Sequence, residues 1–381
     1  MKNFRTLCRA LGSFLSLALF LSSCTLYGGQ QEPVSSESED FPVSEFPAAN
    51  VPITGHNASG SSDTMRGVWI SYLEFDHMLS GKSEDSYRTE ITDMVQNCKK
   101  KELNTLIVQV RSHGDAYYPS KLYPWSSHAS GTVGKACDFD PFKILIELSR
   151  KEGLSVHAWI NPYRLMKDEE MEQVSDAFLI KKWYQNNDFM AQGKDGYWYL
   201  NAGNSDVQEL IVQGVQELIE NYEIDGIQID DYFYDKVKPS DFGQNEEQGR
   251  KNVTDMVKQI YTCVKKKDEN LLFGISPAGN YGNQPASDQS QLTNLSLWCT
   301  EEGYLDYVAP QIYWEFDNEE APFLTVLEKW EKLVEDSPVK LYVGLAAYKF
   351  ADTDILQQEI DEVNQRENSE GYILFRYDNL V

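Results

Sequence analysis

Asp230 and Asp231 stand side by side at the end of a short apolar run, Asp225-Gly226-Ile227-Gln228-Ile229-Asp230-Asp231-Tyr232-Phe233-Tyr234. Two carboxylates held this close raise the pKa of one of them, which leaves it usable as an acid near neutrality. Cleavage of a glycosidic bond calls for such a pair, with one member as proton donor. Neighbouring residues on a regular strand point to opposite sides, so both aspartates reach one pocket only if the strand breaks after Asp230. A sugar with a 2-acetamido group suits adjacent aspartates in another way. The acetamido oxygen attacks the anomeric carbon, Asp230 orients it, and Asp231 protonates the leaving oxygen. Asp115 and Glu315 are the alternative second carboxylates. A divalent cation is a further use for such a pair. The inward histidine is single and no third acid stands near it, so neither a metal nor another cofactor is expected.

These residues need a frame. β-rich runs recur at Gly67–Tyr72, Thr105–Arg111, Ser155–Asn161, Asp225–Asp231, Leu271–Ser276, Asp306–Tyr313, Leu341–Ala347 and Gly371–Tyr377. Amphipathic helical patterns lie between them, as in Val207, Leu210, Ile211, Val215, Leu218 and Ile219. Eight strands alternating with helices predict an α/β fold, a (β/α)8 TIM barrel, over residues 65–381. The chain stops at Val381, just after strand eight, which leaves no room for a full eighth helix. Helix-to-strand links are short. The strand-to-helix links Ser112–Asp140 and Asn161–Asp206 are long and rich in Tyr and Trp, on the face where this fold carries activity.

Alternation along each strand predicts the inward set. It comprises Gln109 and Arg111, then His157, Trp159 and Asn161, then Gln228 and Asp230, with Ser276, Gln311, Tyr313 and Arg376 from later strands. Barrel interiors are ordinarily filled with branched aliphatic residues, so polar groups converging from six strands point to a site. Rings around a polar mouth fit carbohydrate, which offers C–H faces for stacking and hydroxyls for hydrogen bonds.

The segments Arg66-Gly67-Val68-Trp69, Gln109 to Tyr118, Pro124-Trp125-Ser126, His157 to Arg164, Asp225 to Tyr234, Ser276-Pro277 and Pro310 to Trp314 resemble the bacterial glycosyl hydrolase-like barrel proteins of family 10. The resemblance implies a TIM barrel, export, and action on cell-wall glycan such as peptidoglycan strands. It carries over Asp230 and Asp231 as catalytic, with Arg111 and Asp115 as matching site positions. Tyr163, Arg164, Tyr232 and Trp314 fall within its motifs and join the inward residues as expected substrate contacts. The fourth strand is also similar to that of family 18 chitinases. Gln228 replaces one of their carboxylates and Tyr232 stands where their proton-donating glutamate belongs, which counts against that chemistry.

Lys2, Arg5 and Arg9 precede an apolar run, Leu11 to Leu21, that ends in Leu21-Ser22-Ser23-Cys24. This resembles a bacterial lipoprotein signal, residues 1–23, with Cys24 as the lipidated residue. Residues 24–64 are rich in Pro, Ser and acids and read as a disordered spacer. The expected location is the outer face of the bacterial cell membrane, reached through a lipid anchor on Cys24. A net charge of −26 argues against nucleic acid as a partner. Cys98, Cys137, Cys263 and Cys299 match no zinc spacing. The expected function is a monomeric glycoside hydrolase acting on N-acetylated cell-envelope polysaccharide. A glycan-binding lipoprotein without turnover is the alternative, and a metal-dependent hydrolase comes third.

Overall fold

The computed structural model of the chain describes residues 64–230, 233–234, 236–280, 292–351 and 353–380. The expected signal segment, Cys24 and the spacer, together with Asp231 and Tyr232, lie outside the described residues. The strands are β1 (Met65–Ile70), β2 (Thr105–Arg111), β3 (Ser155–Ile160), β4 (Arg164–Lys167), β5 (Met190–Gln192), β6 (Tyr197–Leu200), β7 (Gly226–Asp230), β8 (Leu272–Ser276), β9 (Tyr307–Val308), β10 (Lys340–Leu341), β11 (Val343–Leu345) and β12 (Gly371–Leu374).

The main sheet runs β10-β9-β8-β7-β3-β2-β1-β12-β11, and every pairing in it is parallel. Only Tyr342 separates β10 from β11, and its backbone N–H donates to the Val308 carbonyl at 3.0 Å. The two pieces are therefore one interrupted strand. Its first half pairs with β9 and its second with β12, so the sheet closes on itself as the expected eight-stranded barrel.

Helices fill the outer layer because their apolar stripes have nowhere else to go. The helix Ser205–Asn221 starts where the Asn204 side chain accepts from the Asp206 and Val207 N–H groups, with Asp206 favourably placed in the first turn. It turns Val207, Leu210, Ile211, Val215, Leu218 and Ile219 onto the barrel. Each such buried aliphatic side chain contributes about 1.5–3 kcal/mol. After β12 the described residues hold a 3-10 turn, Tyr377–Asn379, and no further α-helix. Cys98, Cys137, Cys263 and Cys299 form no disulfide among the described residues, and burial pushes Cys98 up to about 12.

The lumen differs from expectation in its filling. Met65, Trp69, Ile107, Trp159, Tyr307, Ala309, Tyr342 and Ile373 form an interior cluster separate from the outer core. Large rings fit there because glycines face them. A Cβ on Gly274 would stand 2.2 Å from the Tyr307 ring, and one on Gly344 would stand 3.0 Å from Trp69.

The long link after β3, expected as loop, holds a second sheet of order β4-β6-β5, antiparallel throughout. Strands of three and four residues are too short to show a period in sequence. Asp168 ties this insert together, accepting from Tyr184 Oη at 2.7 Å, Trp198 Nε1 at 2.7 Å and Gln192 Nε2 at 2.9 Å. Those three donors hold its carboxyl below the ordinary value.

Candidate active site

At the C-terminal mouth of the barrel a hydrogen-bonded relay crosses four neighbouring strands or their ends. The Tyr72 backbone N–H donates to Gln109 Oε1 at 3.1 Å. Gln109 Nε2 donates to Asn161 Oδ1 at 2.7 Å, and Asn161 Nδ2 donates to Asp230 Oδ2 at 2.5 Å. The first donor is a backbone N–H and has no alternative role, so it fixes how both amides face. Asp230 therefore receives an N–H, the arrangement that stabilises an ionised carboxylate. Gln109, Asn161 and Asp230 are all buried.

A second set lies deeper. His157 Nδ1 meets Tyr307 Oη at 3.0 Å, and Tyr307 Oη donates to Gln228 Oε1 at 3.3 Å. Burial lowers His157 to about 4, so the ring is neutral. Its Nδ1–H then donates to Tyr307, whose own O–H donates to Gln228 Oε1. His157 and Gln228 are buried and brace the lumen through the Tyr307 hydroxyl between them. Gln228 Nε2 and Trp159 Nε1, from paired positions on β7 and β3, have no acceptor among the described residues. Gln311 caps strand β8 through Nε2 to the Ser276 carbonyl at 3.1 Å.

Arg111 is not in the lumen. The β2–β3 register runs Gln109↔Trp159 and then Arg111↔Ile160, which places a bulge at Val110. The extra residue turns Arg111 to the outer side of the sheet, where its guanidinium lies 4.4 Å over the Tyr123 ring. It also lies against Gly214 of the helix Ser205–Asn221, where a Cβ would come within 2.4 Å of Nη1. Arg376 leaves the expected inward set as well. Ile373 and Phe375 take the lumen side, against Gly67 and Trp69, and Arg376 Nη1 instead donates to Glu74 Oε1 at 2.6 Å. Tyr163 is fully buried against Phe233 and touches outer core rather than mouth.

Asp115 is anchored within its own loop. Its Oδ1 accepts from the Ser112 N–H at 3.0 Å and the His113 N–H at 2.8 Å. Burial pushes the carboxyl up, but His113 together with bonds from Ser126 and the His113 N–H outweighs it, and the group sits below its ordinary value. An acid held this way is a poor proton donor and a good loop clamp. Burial first, and Arg164 next, lower His113 to about 3.

Two aromatic groups flank the relay. On one side Tyr72 lies 5.2 Å from His113 and 4.8 Å from His128, and His113 stacks on Tyr197 at 5.1 Å. On the other Tyr313 meets Phe375 at 6.0 Å and Tyr348 at 5.8 Å. Tyr348 is 47% exposed, and Trp314 is half-buried beside this group in sequence. Arg164 Nε donates to the Ser112 carbonyl at 3.2 Å, on the Tyr72 side. Among the described residues no group of three or more His, Cys, Asp or Glu is placed to hold a metal ion.

The sequence profile of the family described as "Glycosyl hydrolase-like 10" matches residues 64–361. The chain belongs to the glycosyl hydrolase-like 10 family. Its match to "Glycosyl hydrolase YngK" of Bacillus subtilis is 32% identical and covers 77% of this chain and 62% of that relative, so the chain spans under two thirds of its length. "Glycosyl hydrolase DigH" of Escherichia coli K12 is 27% identical over 100% of this chain and 95% of its own. Among solved structures, α-L-fucosidase isoenzyme 2 from Paenibacillus thiaminolyticus superposes with a TM-score of 0.53 at 14% identity, over 84% of this chain and 47% of that one. A glycoside hydrolase family 20 β-N-acetylglucosaminidase does so with 0.51 at 10% identity, over 84% and 66%. At these identities the structures share the fold alone, and the fold is that of TIM-barrel glycosidases.

Sequence reasoning passed over several residues of this glycosyl hydrolase-like 10 mouth. Tyr307 shares the parity of Gln311 on strand six and was findable by the same alternation. Tyr72, Tyr197 and Phe375 sit beyond strand ends or on the insert, where alternation gives no direction. Glu359 was also passed over. It lies fully buried on the helix Asp354–Asn364, and neither carboxyl oxygen has a hydrogen-bond partner among the described residues. Burial first, and nearby Glu315 second, raise it to about 8.

The folded state thus holds a proton on Glu359 that the unfolded chain releases near the ordinary value of 4.5. Stability falls as pH rises between that value and about 8, and levels off above it. Glu359→Gln is expected to melt with the wild type near pH 4.5. At about pH 8.5 it gains on the order of 3 kcal/mol, and thermal unfolding across that range checks the divergence. Equal melting of the two proteins at every pH contradicts it.

Proposed function

We propose that this protein hydrolyses glycosidic bonds in an N-acetylated glycan of the cell envelope, with peptidoglycan glycan strands as the leading substrate. The observation that carries the proposal is Asp230, a buried carboxylate aimed by the Asn161–Gln109–Tyr72 relay at a barrel mouth flanked by aromatic rings on both sides. Family membership and relatives named as glycosyl hydrolases support the reaction class.

In the proposed reaction Asp230 orients the substrate's 2-acetamido group, whose oxygen attacks the anomeric carbon. The bond to the leaving oxygen breaks as Asp231 gives that oxygen its proton. Water then opens the oxazolinium ring while Asp231 takes a proton back, which restores both carboxyls and the acetamide. Trp159 Nε1 and Gln228 Nε2 are donors that still lack acceptors among the described residues, a fit for a ligand oxygen low in the mouth. The protein works, in this proposal, from the outer face of the membrane through a lipid on Cys24.

The test is digestion at protein excess over glycan strands, with and without prior de-N-acetylation, read by mass spectrometry. New reducing ends are expected from the acetylated strands and few from the deacetylated ones. Tight binding with no new ends from either would instead mark a glycan-binding protein without turnover.

A further inference from the structure

We propose that Arg111 and Tyr118 form a closed site for one small monovalent anion, of the chloride class, between strand β2 and the helix Ser205–Asn221. The site lies on the outer side of the barrel wall and is independent of the glycan chemistry proposed for the mouth.

Arg111 is 1% exposed, and its Nε, Nη1 and Nη2 atoms have no hydrogen-bond partner among the described residues. Arginine stays protonated when buried, so it cannot avoid the cost of desolvation by losing its charge. A buried charge persists where something pairs with it. The Tyr123 ring, 4.4 Å from the guanidinium, offsets part of that cost through its face. A ring face does not satisfy the five N–H groups of the fork.

Tyr118 supplies one more donor. It is fully buried, and its hydroxyl has no partner among the described residues. Burial pushes that hydroxyl well above its ordinary value, with Glu217 adding to the rise and the Arg111 charge acting against it. The group therefore keeps its proton and lies within the field of the guanidinium. The acceptors nearby are already in use. Tyr222, whose ring meets Tyr118 edge-on at 5.6 Å, has its hydroxyl on Asp140 at 2.8 Å. Glu217 Oε2 accepts from Ser120 Oγ at 2.5 Å, and Oε1 accepts from the Lys121 N–H at 2.7 Å. The Tyr123 hydroxyl donates to the Leu210 carbonyl at 3.3 Å.

The surroundings select the anion. One guanidinium calls for one negative charge, and a divalent oxyanion would leave a charge unbalanced beside half-buried Glu217. The Phe142 and Tyr222 rings pack on Tyr118, and Gly214 covers Nη1 so closely that a Cβ there would stand 2.4 Å away. A spherical halide accepts from donors at any angle, which suits a planar fork and one hydroxyl set among rings. Its place in the fold gives it a purpose. Arg111 follows the bulge at Val110 that separates it from inward-facing Gln109, so an anion held here pins that bulge.

The experiment follows thermal unfolding of the full chain, dialysed free of halide, in gluconate, chloride and bromide salts at equal ionic strength. Gluconate is too large for a closed site and serves as the reference. Chloride and bromide are expected to raise the melting temperature saturably, by about 4 °C at a hundredfold excess over Kd. Arg111→Met should lose that rise and melt in gluconate no lower than the wild type. Crystals of the wild type grown in bromide should show an anomalous peak beside the guanidinium, a readout that stands even if Arg111→Met does not fold. Equal melting of the wild type in all three salts overturns the site, as does a halide-specific rise that Arg111→Met retains. A bromide peak with no stabilisation in solution marks an adventitious ion only and overturns it too.

Discussion

Asp230→Asn is expected to lower kcat for glycan cleavage by about 10³-fold while the protein stays folded and still binds strands. The side chains are isosteric, and the relay tolerates the exchange. Asn161 Nδ2 donates to Oδ2 of Asp230, and an asparagine with its carbonyl oxygen there accepts the same bond. What disappears is the negative charge at the other oxygen, which orients and stabilises the reacting acetamide in the proposed scheme. Circular dichroism and strand binding should match the wild type, and initial rates of reducing-end formation should not. A variant that cleaves within a few-fold of the wild type would remove Asp230 from the chemistry.

Asn161→Ala is the second large effect, and it acts through Asp230 rather than on substrate. The truncation removes the donor at 2.5 Å and leaves the carboxylate free to rotate. Misplacement of about 1 Å can cost up to 10²-fold, and kcat is expected to fall by roughly 10- to 10²-fold. Loss of a bond to the ionised form also raises the carboxyl pKa. The acidic limb of the kcat–pH profile should therefore move to higher pH, a change that mere loss of stability does not produce. Gln109 Nε2 loses its acceptor as well, which costs about 1–3 kcal/mol of stability. A lower melting temperature with an unmoved pH limb would make Asn161 a structural residue only.

The barrel was legible because its signal is repeated. Parallel strands and amphipathic helices alternate often enough that errors at single boundaries do not alter the topology. Boundaries failed where tertiary contacts decide them. Strand six was expected over Asp306–Tyr313 but pairs as β9 only at Tyr307–Val308, and strand seven is interrupted at Tyr342. Asp230 and Asn161 were found by simple alternation and do meet.

Arg111 was misplaced because alternation assumes an unbroken register, and one bulge at Val110 reverses every direction after it. A signal for it existed in the sequence. Gly214 stands inside an otherwise strong helix, and a glycine there asks what approaches so closely. The answer is the Arg111 guanidinium. Asp115 illustrates a different limit. Its residue type and motif position suit catalysis, and only its bonds to Ser112 and His113 reveal a loop clamp. The mouth's rings come from strand ends and from the β4–β6 insert, so nothing in a two-residue or helical period aims them.

Hydrolysis of a glycosidic bond at Asp230 is the step we propose. Its most direct test is digestion of N-acetylated glycan strands in heavy-oxygen water by excess protein, with products read by mass spectrometry. New reducing ends that each carry one heavy oxygen from the solvent are expected, and they should be lost in Asp230→Asn. Products that close as anhydro sugars without solvent oxygen, or strands left whole by the wild type, would contradict it.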